Sequence, residues 1–472
     1  MATDVEQFER LRDVGRSEKY STARHPLRFY MNVAVTANYT LPKSFGLPLK
    51  DYVYKATETL IDQHPVLSAI PLREETEEPY WVRLPEVDLS QPITFQKPAQ
   101  SLTLDEHDSE LQKLIETQHD TGFEAPKPYW RLIVLTDDDA HVQSEEASPR
   151  QRHFTAVFVY HHALGDGTSG KAFHRTFLQA LRSLTSLQPG ESKQLITPPK
   201  NPLLPNLELV HPLPTSISYI AKILFKELVW NKRDAKLWAG GVYQLPLSTH
   251  VRLITLNAEQ TSNLASVCRK NKTTVTCAVE TAIARSLFPH IPERFTRVAG
   301  SVPITQRPWL PDTITDDSIG VFVQEHPEIF SRKVVTSKDF PWAETQRVRK
   351  GLIKEVAKES KDTSVGLFKF VKDYKNGLLQ PKIGKERSST FELSSLGVVK
   401  IEKADDEALP QLKRVIFTQS ASVTGSAIEF SLITGPDGCL ILGASWQPRV
   451  VEEEVVEKVV GTLKVELQTL SA

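Results

Sequence analysis

The 472-residue sequence predicts an α/β (α+β) protein built on two sheets. Two observations support this. Strand-like and helix-like segments mix on both sides of one proline-rich stretch, and the length exceeds a single ordinary core, suggesting roughly two to four domains. The stretch runs from Leu187 to Thr215, "LQPGESKQLITPPKNPLLPNLELVHPLPT". Proline fixes its own backbone and disfavours helix in the residue before it, so this segment reads as an extended connection. The expected division is residues 1–190, a connection at 191–215, and 216–472.

In the first part, "FYMNVAVTANY" (Phe29 to Tyr39) is rich in apolar and strand-favouring residues and reads as a strand. Leu49, Val53, Ala56 and Leu60 recur at helical spacing, and that helix should stop at His64-Pro65. "WRLIVL" and "FTAVFVY" are near-continuous apolar runs, as expected of strands covered on both faces. Asp137 to Asp139 fit an exposed loop between them. Beyond the second run, Phe173, Phe177, Ala180, Leu181 and Leu184 mark one helix face, with Thr168 or Ser169 expected to cap its start.

In the second part a helix around Ser262 to Lys270 precedes another from Thr274 to Leu287, capped by Thr274. "RVAGSVPI", "RVIFTQ", "AIEFSLIT" and "CLILGASW" read as strands, with turn chemistry at Pro436-Asp437-Gly438. Val451, Val455, Val459, Leu463 and Leu467 give a closing amphipathic helix. Amphipathic "ISYIAKILFKELVW" (Ile217 to Trp230) is expected to pack in the core near the junction rather than on a lipid surface.

Composition narrows the function. Lys+Arg at 57 against Asp+Glu at 58 leaves almost no net charge, which disfavours a nucleic-acid binder. Cys268, Cys277 and Cys439 are few and not at metal-ligand spacing, which argues for a reducing compartment without disulfides. The charged amino-terminal segment has no signal-peptide core, and no apolar run is long enough to span a bilayer. A cytoplasmic, monomeric protein without stable membrane insertion is expected. A local excess exists from Arg347 to Arg387, with 12 Lys+Arg and 5 Asp+Glu. A solvated helix face is the favoured reading, attraction of an anionic cofactor the other.

The chemistry concentrates in "YHHALGDGTSGK", Tyr160 to Lys171, after the apolar run. Its right side approaches a phosphate-binding loop, but Ala172 stands where a Ser or Thr hydroxyl should hold magnesium. A metal held by both histidines is disfavoured, because neighbours on a strand point to opposite faces. The pattern His-x-x-x-Asp-Gly, formed by His162, Asp166 and Gly167, remains. His162 shares the parity of Phe154, Ala156, Phe158 and Tyr160, so a cleft-facing imidazole at the strand end is expected. Gly165 and Gly167 would permit a tight turn after it.

"HHALGDG" resembles the His-His-x-x-x-Asp-Gly motif of the coenzyme A-dependent acyltransferase superfamily, which includes chloramphenicol acetyltransferase and the condensation domains of peptide synthetases. "ARHPLRFYMNVAVTANY", "LIDQHPVLSAIPL", "LASVCRKNKTTVTCAVETAIARSL", "SVPITQR", "TFELSSLGVV" and "GCLILGASWQPRVV" are similar to segments of the fungal alcohol acetyltransferase branch. The Asp-Phe-Gly-Trp-Gly motif of the plant enzymes is absent, so the resemblance does not say how coenzyme A is gripped.

The resemblance implies two chloramphenicol-acetyltransferase-like domains, each a mixed sheet with flanking helices, and an active-site tunnel between them. It implies acetyl-CoA as co-substrate, no permanently bound cofactor, and an O-acetyltransferase acting on a small alcohol or specialised metabolite. An amine acceptor, a longer or carrier-borne acyl group, and a catalytically silent binding protein are the alternatives. His162 is the expected general base, since imidazole titrates near ~6.5. Ser394, in "FELSSLG", is the candidate oxyanion donor, with Ser395 beside it and an ordinary polar pair equally open. Asp166 is expected to shape the site through a buried pair with Arg307, which the resemblance suggests, and Gly167 to give the turn room.

Overall fold

The computed structural model describes residues 5–137, 151–228, 234–402 and 408–472, without side-chain placement at 226–228. Asp138, Asp139, Val229 and Trp230 lie outside the described residues. The first large sheet runs in the order Gln411–Gln419, Val33–Leu41, Arg152–Tyr160, Trp130–Leu135, Ile93–Gln96. Neighbours are antiparallel except the last pair. Val33 to Leu41 and Phe154 to Tyr160 are nearly all buried, which explains runs too apolar to alternate. Helices Leu49–Gln63 and Gly167–Arg182 pack together over this sheet. Their apolar stripes (Val53, Ala56, Leu60; Phe173, Phe177, Leu181) are fully buried in one core with the strands.

The second large sheet runs Leu237–Trp238, Arg297–Thr305, Phe391–Val398, Ile428–Thr434, Leu440–Trp446, His250–Leu256. Val323–Ser331 adds to it by antiparallel pairing along the whole of Arg297–Thr305. Helices Ala258–Lys270, Val275–Leu287 and Glu453–Leu470 contribute their apolar faces to its core. Thr274 caps its helix by accepting a hydrogen bond from the Cys277 amide, as the sequence predicts.

One strand crosses the division drawn at 191–215. Gln411–Gln419 pairs with Val33–Leu41, so the carboxy-terminal part of the chain completes the first sheet. It also packs on Ile428–Thr434 and Leu440–Trp446 of the second sheet and ties the two together. The approach is close at Gly443, where a Cβ would stand 3.0 Å from the Phe417 carbonyl oxygen and 3.1 Å from Thr418 Cγ2. Within the proline-rich stretch, Leu195–Ile196 pairs with Val87–Asp88 and Leu207–Val210 forms a short helix.

The helix Ile217–Leu228 departs from expectation. Residues 217–225 are exposed or partly buried, with Ile217 87% and Phe225 56% exposed, so they do not enter a core. An apolar stripe records a tendency to be covered, and local sequence does not say whether the rest of the chain covers it. No helix among the described residues is long and apolar enough to cross a membrane.

Replacing Gly443 by Val is expected to destabilise the protein by about 1–3 kcal/mol through overpacking, read as a lower denaturation midpoint. An unchanged midpoint would show that the two sheets part here without cost.

Candidate active site

The strand Arg152–Tyr160 ends where the two histidines diverge. His161 turns into the first domain, its ring edge-on to His25 at 4.6 Å between centroids and 5.5 Å from Tyr129. Glu74 lies between the two imidazoles, 2.9 Å from His25 Nδ1 and 3.2 Å from His161 Nε2, the second contact lying off the hydrogen-bond direction. These three buried residues are of metal-ligand type and their ligand atoms lie within 4.8 Å of one another. The backbone sets their protons otherwise. His25 Nε2 accepts from the Phe123 amide and His161 Nδ1 from the Ala163 amide. Each neutral ring therefore turns an N–H, not a lone pair, toward Glu74. Burial works to raise the Glu74 pKa, but His161 and His25 outweigh it and hold the carboxyl at about 2. The group is a clamp in which Glu74 bonds His25 and lies against His161, and sequence reading missed it because positions 25, 74 and 161 are far apart in the chain.

His162 faces the other way, 5.7 Å from the Tyr30 ring between centroids. Two compartments meet at it, of about 170 and 270 Å³. Both are bordered by Tyr20, Arg24, His162, Glu325, Glu392 and Gln419, residues from both parts of the chain. The smaller compartment adds apolar walls from Val321, Val323, Val365, Phe368 and Phe417. The larger one adds Tyr243, Lys382 and several serines. A bigger pocket of about 740 Å³ lies beside His25 and Thr121–Arg131, but His162 does not border it.

His162 is partly exposed, where it borders the compartments. Nδ1 is buried without a full hydrogen-bond partner, its own main-chain carbonyl giving only a weak favourable contact. Burial, with the nearby Arg24 charge, lowers the pKa to about 4, well below the ordinary value the sequence suggests. The imidazole is therefore neutral throughout the physiological range.

Asp166 does not point at His162. Its carboxylate takes a bidentate pair from Arg307, at 2.7 Å and 3.0 Å, and further hydrogen bonds from the Phe322 and Ser169 amides and the Ser169 hydroxyl. Both partners are buried, with Asp166 3% and Arg307 4% exposed. Burial works to raise the Asp166 pKa, but Arg307 outweighs it and keeps the carboxyl below its ordinary value. Asp166 also caps the helix Gly167–Arg182, a position the sequence reading gave to Thr168 or Ser169. The reason is competition: Ser169 is recruited to bridge Asp166 and the Gly320 backbone.

This cap also disposes of the phosphate-loop pattern. The helix amino terminus already holds a carboxylate, and Lys171 Nζ donates to the Leu396 carbonyl at 3.3 Å. Gly167 is needed for a different reason from the one expected. Its φ is not positive; instead a Cβ would meet Leu396 Cδ2 at 2.8 Å and Phe417 Cζ at 3.1 Å. The glycine lets the two domains close beside the histidine.

The serine pair resolves by strand parity. Ser395 turns to the helix Val275–Leu287 and shares a hydrogen bond with Thr276 at 3.0 Å. Ser394 borders the smaller compartment together with His162, and no described hydrogen bond engages its hydroxyl. The basic run divides: Lys350, Lys354, Lys361, Lys369, Lys372 and Lys385 are exposed, as the favoured solvated reading expects, and others are committed to structure. Arg347 pairs with Glu328 and Glu344, Lys358 with Glu355, buried Lys375 with the Glu74 and Thr76 carbonyls, and buried Arg387 with three carbonyls at 422–426. Arg24, Tyr30, Glu325, Glu392 and Glu429, which the sequence reading did not single out, border the compartments.

Breaking the buried pair with Arg307→Met is expected to cost about 3–5 kcal/mol of stability, because Asp166 is left charged and uncompensated. Asp166→Asn in the Arg307→Met background should recover part of that loss in a chemical-denaturation series. Equal midpoints for wild type and both variants would remove the pair from the account.

With this geometry in place, comparison with known proteins is informative. The sequence model of the alcohol acetyltransferase family matches residues 104–467. A probable alcohol acetyltransferase, crmB, of Aspergillus fumigatus is 30% identical over 94% of this chain and 96% of its own length. A second, FCK4 of Fusarium pseudograminearum, is 24% identical over 95% and 93%. Among solved structures, the TRI3 trichothecene 15-O-acetyltransferase of Fusarium sporotrichioides superposes with a TM-score of 0.72, covering 98% of this chain and 95% of its own at 16% identity. The first condensation domain of the calcium-dependent antibiotic synthetase gives 0.65, covering 98% and 97% at 14% identity. The fold is that of the chloramphenicol-acetyltransferase-like and condensation-domain group. A shared family over most of the chain, on this scaffold, makes the protein an acyltransferase of the alcohol acetyltransferase family.

Proposed function

We propose that the protein transfers the acetyl group of acetyl-CoA to the hydroxyl of a small acceptor, with His162 as general base. The observation behind this reading is a neutral imidazole placed where two compartments meet. One compartment per substrate lets thioester and acceptor approach the same ring nitrogen from different sides. Nδ1 is sealed near its own carbonyl, which leaves Nε2 as the nitrogen with a free lone pair.

The chemistry then balances simply. Nε2 takes the hydroxyl proton as the acceptor oxygen attacks the thioester carbonyl carbon. The carbonyl oxygen becomes an oxyanion, and the unengaged Ser394 hydroxyl is the donor for it. Collapse breaks the carbon–sulfur bond, and the departing thiolate recovers the proton from His162. The low pKa of the base suits this traffic, since it returns the proton readily. Asp166 and Arg307 take no part in the proton transfer; they fix the turn that aims His162. Gly167 gives the clearance.

Replacing His162 by Ala is expected to lower kcat about 10²–10⁴-fold while leaving thermal unfolding nearly unchanged. Unaltered turnover would retire the mechanism. Ser394→Ala should lower kcat about 10²–10³-fold with little change in the KM for acetyl-CoA. The pH profile of kcat/KM separates a sealed imidazole from an open one. With its folded pKa at about 4, His162 should impose no acid limb near ~6.5, the ordinary histidine range. Measuring Glu392→Gln alongside wild type removes the titration of Glu392, whose carboxyl burial and Glu325 push up to about 7. A limb near ~6.5 that persists in the variant would show His162 open to bulk water.

A further inference from the structure

The larger compartment is more polar than an alkyl alcohol requires. We propose that it selects a hydroxyl-rich acceptor, a polyol or sugar, through the glutamate pair Glu392 and Glu429 and the hydroxyls of Ser422 and Thr424. The proposal rests on the acetyltransferase reading and names its acceptor class.

The first observation is a polar row where a sheet interior is ordinarily apolar. Ser301, Glu392, Glu429 and Ser445 stand side by side across four neighbouring strands. Their shared face is the one turned toward the strand Gln411–Gln419, since Gly443, two residues from Ser445, meets the Phe417 carbonyl. Core packing does not call for such a row.

The second observation is independent of the carboxylates as a cluster. Glu429 Oε2, Ser422 Oγ and Thr424 Oγ1 have no hydrogen-bond partner and show almost no accessible surface, and all three residues border the compartment. Each is at least nine-tenths buried: Glu429 3%, Ser422 5% and Thr424 3% exposed. Arg24, which also borders the compartment, has an Nε without a partner. Native interiors rarely leave several polar atoms unsatisfied together, and an apolar guest would leave them so.

Charge decides between a cation and a neutral polyol. Burial, and Glu392 beside it, push the Glu429 pKa well up, which favours its uncharged form. A neutral carboxyl donates one hydrogen bond and accepts others, as a hydroxyl does. Arg24, and Arg387 behind Glu429, offset the remaining carboxylate charge. An ammonium therefore has little to gain here. The smaller compartment, with its valine and phenylalanine walls, is left for the acetyl thioester arm.

The test uses the purified full-length protein with acetyl-CoA, following thiol release and product mass. Xylitol and glucose are compared with 1-hexanol and 2-phenylethanol. The polyhydroxylated acceptors are expected to exceed the alkanols in kcat/KM by about a hundredfold or more, since a site built for hydrogen bonds rejects guests that lack them. Glu429→Leu should shrink that ratio at least about tenfold by raising the KM for the polyols. Thr424→Val provides a second, milder probe, and Glu429→Gln should restore most of the preference. Equal or better turnover of the alkanols overturns the proposal while leaving the acetyltransferase reading in place. If no acceptor is acetylated, that reading falls, and saturation-transfer NMR decides the rest. Signal on xylitol that disappears in Glu429→Leu supports the proposal; signal on 1-hexanol alone overturns it.

Discussion

The buried ion pair between Asp166 and Arg307 holds the site together. It joins the turn after the histidines to the segment 307–322, so two parts of the chain are locked at one carboxylate. Taking two charges out of water is expensive, and their attraction repays it only when the remaining donors are also satisfied. Here the Phe322 and Ser169 amides and the Ser169 hydroxyl supply those bonds. Such an arrangement holds the turn that follows the strand-end histidine.

Around this pair the two histidines acquire opposite environments from adjacent positions. His161 is enclosed by the Glu74 carboxylate and the Ala163 amide, which settles its proton, whereas His162 keeps a sealed Nδ1 and borders the compartments. Strand alternation separates them by direction, and burial then separates them by chemistry. The same rule separates Ser394 from Ser395, one beside the cleft and one bonded to Thr276. Small residues complete the closure: Gly167 and Gly443 both sit where a side chain would collide across the domain contact.

The sheets, most helix bounds and the motif were legible because they rest on short-range patterns. Apolar runs such as "FTAVFVY", helical spacing from Leu49 to Leu60, and the Thr274 cap need only neighbouring residues to express themselves. Where long-range contacts compete, local reading failed. Thr168 or Ser169 was expected to cap its helix, but Ser169 is drawn to Gly320, some 150 residues away, and Asp166 caps instead. The exposed helix Ile217–Leu228 carries a stripe that looks like core but is not covered.

The sequence by itself determined the element types, the acyltransferase family and the identity of the histidine at the strand end. Those follow from periodicity, parity and a motif, all readable along the chain. Tertiary structure alone decided that Gln411–Gln419 returns to the first sheet, that His25 and Glu74 clamp His161, and that Arg24, Glu392 and Glu429 border the compartments beside His162. It also decided the charge state of His162, because a pKa is set by desolvation and by neighbouring charges, and neither exists until distant segments are folded against one another.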